Sequence, residues 1–209
     1  MNSGTPDKRL LQSFLEQLDA GFERLAFNRG HDQLWVEKAP TGPTTARVGI
    51  TWFEAQRSSF DVLAFAGILV LPVENVLART WPEPLQPFLP VVQREFGEDS
   101  TFTVTSGSEE AIADEIVDAY VQEAAPWVES LRDPDCLIAE IKASALRRNV
   151  LLPTTLAVLG RSREALEALD NELAALKDPT DRLVTKQGSW ASLYEQFSKA
   201  LRDEILQDM

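Results

Sequence analysis

The feature that most constrains the fold is a run of three segments with the character of β-strands, separated only by short connections. The segments cover residues 33–39, 44–56 and 60–71, with turns at residues 40–43 and 57–59. Alternating or continuously apolar runs bounded by Gly, Pro and Ser are typical of strands. Parallel neighbours would need a crossover of about a dozen residues, so these connections predict an antiparallel meander.

Helical patterns lie on both sides of this meander. Apolar residues at spacings of three and four predict a first helix that starts at Thr5, has Pro6 in its first position and stops at Gly30. Residues 73–80 and 88–96 are each long enough for about two helical turns. Residues 100–106 alternate again and predict a fourth strand.

Everything from Ser106 onward has a helical pattern. Residues 152–176 predict a helix that stops at Gly160 and a second one capped by Ser162, which together form one αα-hairpin. The predicted fold class is therefore α+β: an N-terminal helix, a four-stranded mainly antiparallel sheet and a C-terminal helical half. We expect an α+β domain over residues 1–142 and a helical subdomain packed on it over residues 143–209.

Composition narrows the class of protein. The 209 residues carry a net charge of −13, which disfavours binding to phosphate backbones, so we expect no nucleic-acid partner. No apolar run approaches the roughly 18 residues of a membrane span, and no secretory signal pattern is present. These features predict a cytoplasmic protein with no membrane partner, and they leave the oligomeric state open.

The most acidic stretch is residues 106–131, with seven carboxylates and no basic residue. Ser106 and Ser108 are both candidate N-caps for the predicted helix, and Ser106 fits a capping box with a glutamate three residues later. Glu110, Asp114 and Asp118 are spaced by four and therefore share one side of it. Repulsion at this spacing and attraction to the helix N-terminus nearly cancel, which favours a solvated surface. The alternative is a docking surface for a basic partner.

Two tryptophans near prolines have alternative interpretations. Pro126 should kink the acidic helix or start a new one, and Trp127 just after it is expected to anchor the core. Trp81 lies in a proline-rich loop, where it either plugs one end of the sheet or serves as an exposed binding anchor.

The residues needed for catalysis or metal binding are sparse. His31 and Cys136 are the only histidine and cysteine, no nucleophile or nucleotide-binding motif is present, and we expect no cofactor and no metal site. Cys136 near a helix start could have a lowered pKa, although single cysteines in apolar contexts are more often buried. Glu37 and Glu54 could approach across strands as an acid–base pair, but so many carboxylates make chance proximity common.

The first two-thirds of the chain resembles domain of unknown function family 4304. The shared features are a Gly-Phe near the end of the first helix with basic and aromatic residues after it, a Gln-x-Ser-x-x-Phe pattern in the strands, and a Pro-Trp step in a later helix. The residues concerned are Gly21, Phe22, Arg24, Phe27, Gln56, Ser58, Ser59 and Phe60, and later residues 119–141. The resemblance implies an α+β domain with an antiparallel sheet, and it implies no activity.

These observations favour a non-enzymatic protein-interaction module. Its concrete form would be an immunity-type protein that covers a basic toxin or nuclease with its acidic surface, and Glu110, Asp114, Asp118 and Trp81 are the candidate binding residues. The alternative is an enzyme or small-ligand-binding protein with a pocket between the sheet and the C-terminal helices.

Overall fold

The computed structural model describes residues 7–30, 33–40, 42–53, 58–82, 92–97, 101–144, 148–176 and 188–207. Its elements, in chain order, are α1 (Lys8–Arg24), β1 (Phe27–Arg29), β2 (Leu34–Glu37), β3 (Thr44–Phe53), β4 (Ser59–Val70), α2 (Leu71–Thr80), β5 (Val92–Glu95), β6 (Thr101–Thr105), α3 (Glu109–Ala119), a π-helical turn (Tyr120–Ala124), α4 (Ala125–Ser130), α5 (Pro134–Ala143), α6 (Arg148–Val158), α7 (Ser162–Leu176) and α8 (Gly188–Gln207). The predicted α+β class is confirmed.

The chain divides into two compact units, Met1–Leu69 with Val92–Arg132 and Val70–Val91 with Asp133–Met209. The first unit consists of the sheet and the helices α1, α3 and α4. The second holds α2 and α5 to α8. The predicted boundary divides the chain once, after residue 142. In the structure the second unit also contains α2 and α5, which precede that boundary.

The strands of the first unit form one sheet in the order β1–β2–β3–β4–β5, and β6 also pairs with β4. Strands β1 with β2, β2 with β3, and β4 with both β5 and β6 are antiparallel. Residues 59–63 of β4 face β6 and residues 65–68 face β5, so two short strands share one edge of the long β4.

The core of the first unit lies between one face of this sheet and the helices α1 and α3. Phe14 of α1 packs edge-on against Phe60 of β4, with ring centroids 5.6 Å apart. Phe22 lies 5.1 Å from Trp35 of β2 and 5.8 Å from Tyr120. All five side chains are buried, so the three-and-four spacing of α1 serves to cover the sheet.

The second unit is helical, and its core is formed by the inward sides of its helices. Its buried residues include Val73, Leu77, Leu137, Ile138, Ile141, Leu156, Leu169, Tyr194, Phe197 and Leu201. Asp133 caps α5 by accepting the N–H groups of Asp135 and Cys136. The αα-hairpin predicted around Gly160 is confirmed as α6 and α7, and Gly160 has a φ of 72°, a conformation that favours glycine.

In the described part of the chain the sheet has six strands rather than the predicted four, and the additional strands are β1 and β5. The sequence predicts a helix over residues 88–96, but β5 lies at Val92–Glu95. Val92 and Phe96 are four residues apart, which is the spacing expected on one side of a helix. Both are nevertheless buried in an extended segment, where every second residue points to the same face of the sheet. Pairing with β4 decides between the two patterns, and the local sequence does not contain that information.

The first helix is shorter at both ends than predicted. It begins at Lys8, because the carboxylate of Asp7 accepts the N–H groups of Arg9 and Leu10. It ends at Arg24, six residues before the predicted stop at Gly30, because Ala26 takes a positive φ of 63° in the turn into β1. Thr5 and Pro6 lie outside the described residues.

Candidate functional site

The structure brings three of the four candidate binding residues together. Glu110, Asp114 and Asp118 lie one turn apart on the exposed side of α3, and we call these three residues the acidic face. The opposite side of α3 is buried through Ala113, Ile116 and Val117. Within the described residues, Glu110 and Asp118 have no hydrogen bond or ion pair, so the fold leaves their carboxylates to solvent.

Asp114 is the member of the acidic face that has a partner. It accepts a hydrogen bond from Arg24 of α1 at 3.2 Å, and the two side chains are 59% and 69% exposed. An ion pair this exposed is screened by solvent and contributes little to stability. Asp114 therefore remains accessible to a partner molecule.

The acidic face is held in place by the close approach of α1 and α3. A Cβ atom on Gly21 would lie 2.6 Å from Cγ2 of Val117, closer than atoms can pack. Glycine at position 21 therefore lets the two helices approach closely, which fixes the direction in which the opposite side of α3 points.

The start of α3 differs from the predicted capping box. Ser108, not Ser106, occupies the N-cap position, and its hydroxyl makes no cap hydrogen bond. Glu109 accepts the N–H of Gly107 at 2.7 Å. The hydroxyl of Ser108 instead bonds to Thr105 at the end of β6.

The predicted disturbance at Pro126 is a π-helical turn rather than a break. Proline has no N–H to donate to the carbonyl of residue 122, so an i→i−4 ladder would be interrupted there. The structure inserts the turn Tyr120–Ala124 just before α4, and the N–H of Ala125 bonds to the carbonyl of Tyr120. The π-helical turn contains one residue more than an α-helical turn, which shifts the pattern of backbone hydrogen bonds before Pro126. The chain therefore stays helical from α3 into α4.

This π-helical turn is anchored to the edge of the sheet. Arg94 of β5 donates to the carbonyl of Glu123 at 2.9 Å, and its guanidinium lies 4.4 Å from the centre of the Trp127 ring. The carboxylate of Glu123 accepts the N–H of Gly97 at 3.0 Å. Trp127 is half-buried against the core, which agrees with the expected anchor.

A second charged group, which sequence reasoning missed, lies at the end of α4. Arg132 donates to both carboxylate oxygens of Glu37 at 2.9 Å, to Glu129 at 2.7 Å and to the hydroxyl of Thr44 at 3.0 Å. Glu37 also accepts the N–H of Ala46 at 3.0 Å. We call these residues the Arg132 network. The side chains of Arg132 and Glu37 are only 17% and 21% exposed.

The Arg132 network ties α4 to β2 and β3. Burial alone would lower the pKa of Arg132, but its hydrogen bonds to Glu129 and Glu37 outweigh burial and raise it above the ordinary value. Glu37 lies 95 residues from Arg132 in the chain. No local sequence signal could have found this pair. The predicted approach of Glu37 to Glu54 stays a prediction, because Glu54 lies outside the described residues.

Tyr120 lies in the core beside this network. Burial, followed by the charge of Glu37, raises its pKa to about 12. The phenol therefore stays neutral through the physiological range. It serves as a packing residue in contact with Phe22, Phe27 and Phe96.

Trp81, the fourth candidate, belongs to the second unit. It directly follows α2 and is half-buried, with its ring 5.2 Å from Trp190 and 5.4 Å from Phe197 of α8. Arg79 holds the same two helices together by donating to Glu204 at 2.9 Å. Trp81 is only partly buried, so the residue contributes both to packing and to the surface.

Each unit contains an open cleft. The cleft in the second unit has a volume of about 330 Å³, lies among α5, α6 and α7, and is lined by both basic and acidic residues, among them Lys142, Arg148, Glu164 and Glu172. Glu164 is held by Arg161 at 2.6 Å. The cleft in the first unit, about 420 Å³, lies where α1 and α3 begin and is lined by Asp7, Arg9, Leu10, Ser13, Ser58, Ser106 and Glu109.

The remaining candidates offer little chemistry. Among the described residues, no three His, Cys, Asp or Glu side chains are close enough to hold a metal ion. His31 lies outside the described residues. Cys136 is exposed rather than buried, and partial desolvation with the charge of Asp133 raises the pKa of its thiol. The expectation of a lowered pKa at Cys136 is therefore wrong, because desolvation and then the negative charge of Asp133 both disfavour the thiolate.

Comparisons with known proteins add no further assignment. The chain matches no model of a protein family, no curated protein and no solved structure. The resemblance to domain of unknown function family 4304 therefore stays a prediction. Within the described ranges, every helix is too short or too polar to cross a membrane.

Proposed function

We propose that the protein is a non-enzymatic interaction module of the cytoplasm that binds a basic partner through the acidic face. The observation that supports this is the exposure of Glu110, Asp114 and Asp118 on one side of a rigidly held helix. An immunity-type role, in which the protein covers a basic toxin or nuclease, is the concrete form of the proposal. The net charge of −13 favours the same class of partner.

The physical basis is electrostatic steering. Carboxylates that are solvated in the free protein lose water when lysines or arginines approach, and complementary charge raises the association rate more than the final affinity. Glu110 and Asp118 need break no hydrogen bond or ion pair within the described residues before they bind. Asp114 needs to release only the exposed contact with Arg24. Binding through this face therefore requires no rearrangement of the fold.

The proposal is tested by capture from a lysate of the source cell, with bound proteins identified by mass spectrometry. The wild type is compared with the triple variant Glu110→Lys, Asp114→Lys, Asp118→Lys. The matched control changes Glu167, Glu195 and Asp203, which are also exposed, to lysine. We expect a basic protein with the wild type and the control, and none with the acidic-face variant. Equal recovery by all three would contradict the proposal.

A small-ligand-binding or enzymatic role is the second candidate, and the 330 Å³ cleft in the second unit favours it. A ligand that binds only the folded protein raises its unfolding temperature. Thermal unfolding with charged amino acids and nucleotides as probes tests this role, with Ala168→Trp as the variant that fills the cleft. A stabilisation that this variant abolishes would support the second candidate, and no stabilisation by any probe would count against it.

A further inference from the structure

The outer edge of β6 carries backbone groups that pair with no other strand in the described part of the chain. The inner edge pairs with β4 from Ser59↔Thr105 to Leu63↔Thr101. The N–H of Ser106 bonds to the carbonyl of Ser58 at 3.3 Å, which sets the alternation of the ladder. Because alternate residues of an antiparallel strand face opposite edges, Phe102 and Val104 bond towards β4. The backbone groups of Thr101, Thr103 and Thr105 therefore point outward.

Ser108 occupies the outward groups of Thr105 completely. Its hydroxyl accepts the N–H of Thr105 at 2.9 Å and donates to the carbonyl of Thr105 at 3.0 Å. The N–H of Ser108 bonds to the same carbonyl at 3.0 Å, and the two hydroxyls lie 3.1 Å apart. One donor and both acceptor positions of the Thr105 backbone are thus used within the chain.

These contacts decide how many bonds a second copy of the edge could form. In an antiparallel pair of two β6 strands related by a two-fold axis at Thr103, each Thr103 faces its own copy, and each Thr101 faces Thr105 of the other chain. Each of these three facing pairs exchanges two hydrogen bonds. With Ser108 in place, only the central Thr103 pair can form. Without its hydroxyl, the two outer pairs become possible as well, which raises the bond count threefold.

We propose that the outer edge of β6 is a latent dimerisation edge for a second copy of this chain, and that the Ser108 hydroxyl keeps it closed. A second copy is the partner that fits, because a two-fold antiparallel pair is self-complementary. The strand, Thr-Phe-Thr-Val-Thr, is uncharged and rich in strand-forming residues, which are the properties of edges that pair. Exposed threonines opposite one another add a favourable cross-strand contact.

The hydroxyl of Ser108 is available for this task because it does not cap α3. A serine at the N-cap position normally accepts the N–H of the second or third helical residue. Here that bond is absent from the start of α3. Removing the hydroxyl therefore opens the edge without deleting a helix cap, and the fold should survive the change. Natural edge strands are often blocked by such local devices.

The test is the mass of the Ser108→Ala variant in solution, measured by light scattering after gel filtration with enough salt to screen the net charge of −13. We expect the wild type to be a monomer and the variant to shift towards twice the monomer mass. Ser108→Thr keeps a hydroxyl and should remain monomeric. Ser108→Gly lacks the hydroxyl but suits an N-cap position, so it serves as a second opened variant if alanine disturbs the fold.

A second change identifies the surface that pairs. Thr103→Pro removes only an outward N–H, because that group does not bond to β4, and proline is tolerated at such edge positions. The double variant Ser108→Ala with Thr103→Pro should return to the monomer mass. Opened variants that are folded by circular dichroism and monomeric would overturn the proposal. A dimer that persists with Thr103→Pro would overturn it too, because the pairing surface would then lie elsewhere.

Discussion

The acidic face and the Arg132 network carry charge in opposite ways. Glu110 and Asp118 of the acidic face have no described partner and lie in solvent. Glu37 and Arg132 are largely withdrawn from solvent and share several charged hydrogen bonds. The three carboxylates of the acidic face are grouped by their spacing in the sequence, and the fold leaves them exposed. The buried pair of Arg132 and Glu37 joins residues that are 95 positions apart in the chain.

The largest expected effect is a difference in unfolding free energy between variants of these two regions. Arg132→Met leaves Glu37 without its cation while most of its surface stays covered, and we expect the free energy of unfolding to fall by about 3 kcal/mol. Arg24→Met removes the exposed partner of Asp114 and should cost less than about 0.5 kcal/mol. Urea unfolding measures both. Equal losses would show that the two regions do not differ as described.

A pH titration tests the neutral core beside the Arg132 network. Burial raises the pKa of Tyr120 to about 12, and it also raises that of Tyr194, the only other tyrosine. A group whose pKa is higher in the folded state contributes stability below its unfolded value, near 10, and that contribution is lost as pH rises through the folded value. Stability should therefore fall above pH 10, by about 1.4 kcal/mol per pH unit for each group.

Absorbance near 295 nm measures ionisation of the same tyrosines. The native protein should show almost no tyrosinate at pH 10, where the protein unfolded in urea shows about half of its tyrosines ionised. Native and unfolded titration curves that coincide would mean that neither tyrosine is buried. The core beside the Arg132 network would then be as accessible to solvent as the acidic face.

The contact beneath the acidic face gives the next effect. Gly21→Ala places a methyl group against Val117, and we expect a loss of about 1–2 kcal/mol by urea unfolding. Val117→Ala makes room for that methyl group, so in this background the cost of Gly21→Ala should largely disappear. Additive losses in the double variant would show that the two helices do not approach closely at this point.

A partly buried carbonyl in the second unit gives a smaller effect. Pro153 lies inside α6 and cannot donate to the carbonyl of Asn149, and the hydroxyl of Tyr194 donates to it instead at 3.1 Å. Tyr194→Phe should cost about 1 kcal/mol in urea unfolding. In a Pro153→Ala background the helix supplies its own donor, so the same change should cost less. An unchanged cost would mean that Asn149 does not depend on Tyr194.

The smallest effect is expected at the acidic face itself. The neutral variant Glu110→Gln, Asp114→Asn, Asp118→Asn keeps the size of each side chain and should leave the free energy of unfolding within about 0.5 kcal/mol of the wild type. A loss of several kcal/mol in urea unfolding would show that the acidic face is structural. The acidic face and the Arg132 network would then contribute similarly to stability.

The sequence contains the local part of this structure. Alternating or continuously apolar runs predict β2, β3, β4 and β6. Apolar spacing predicts α1 and α3, and the stop at Gly160 with the cap at Ser162 predicts the α6–α7 hairpin. The acidic face was predictable for the same reason, because Glu110, Asp114 and Asp118 lie within three turns of one helix. Their grouping follows from helical geometry alone.

The part that could not be predicted depends on residues distant in the chain. β5 exists because β4 offers an edge, and Arg132 finds Glu37 only after the sheet and α4 are in place. Ser108 is a different case, because its partner Thr105 is only three residues away. A serine before a helix favours a cap by local statistics, yet here its hydroxyl bonds to the end of a strand.

We propose that the acidic face binds a partner and contributes little to the stability of the fold. The most direct test is the association rate of the captured partner with wild-type protein and with the neutral triple variant, measured across ionic strength. We expect the wild-type rate to fall steeply as salt increases, while the rate of the variant starts lower and changes little. The same rate and the same salt dependence for both proteins would contradict it.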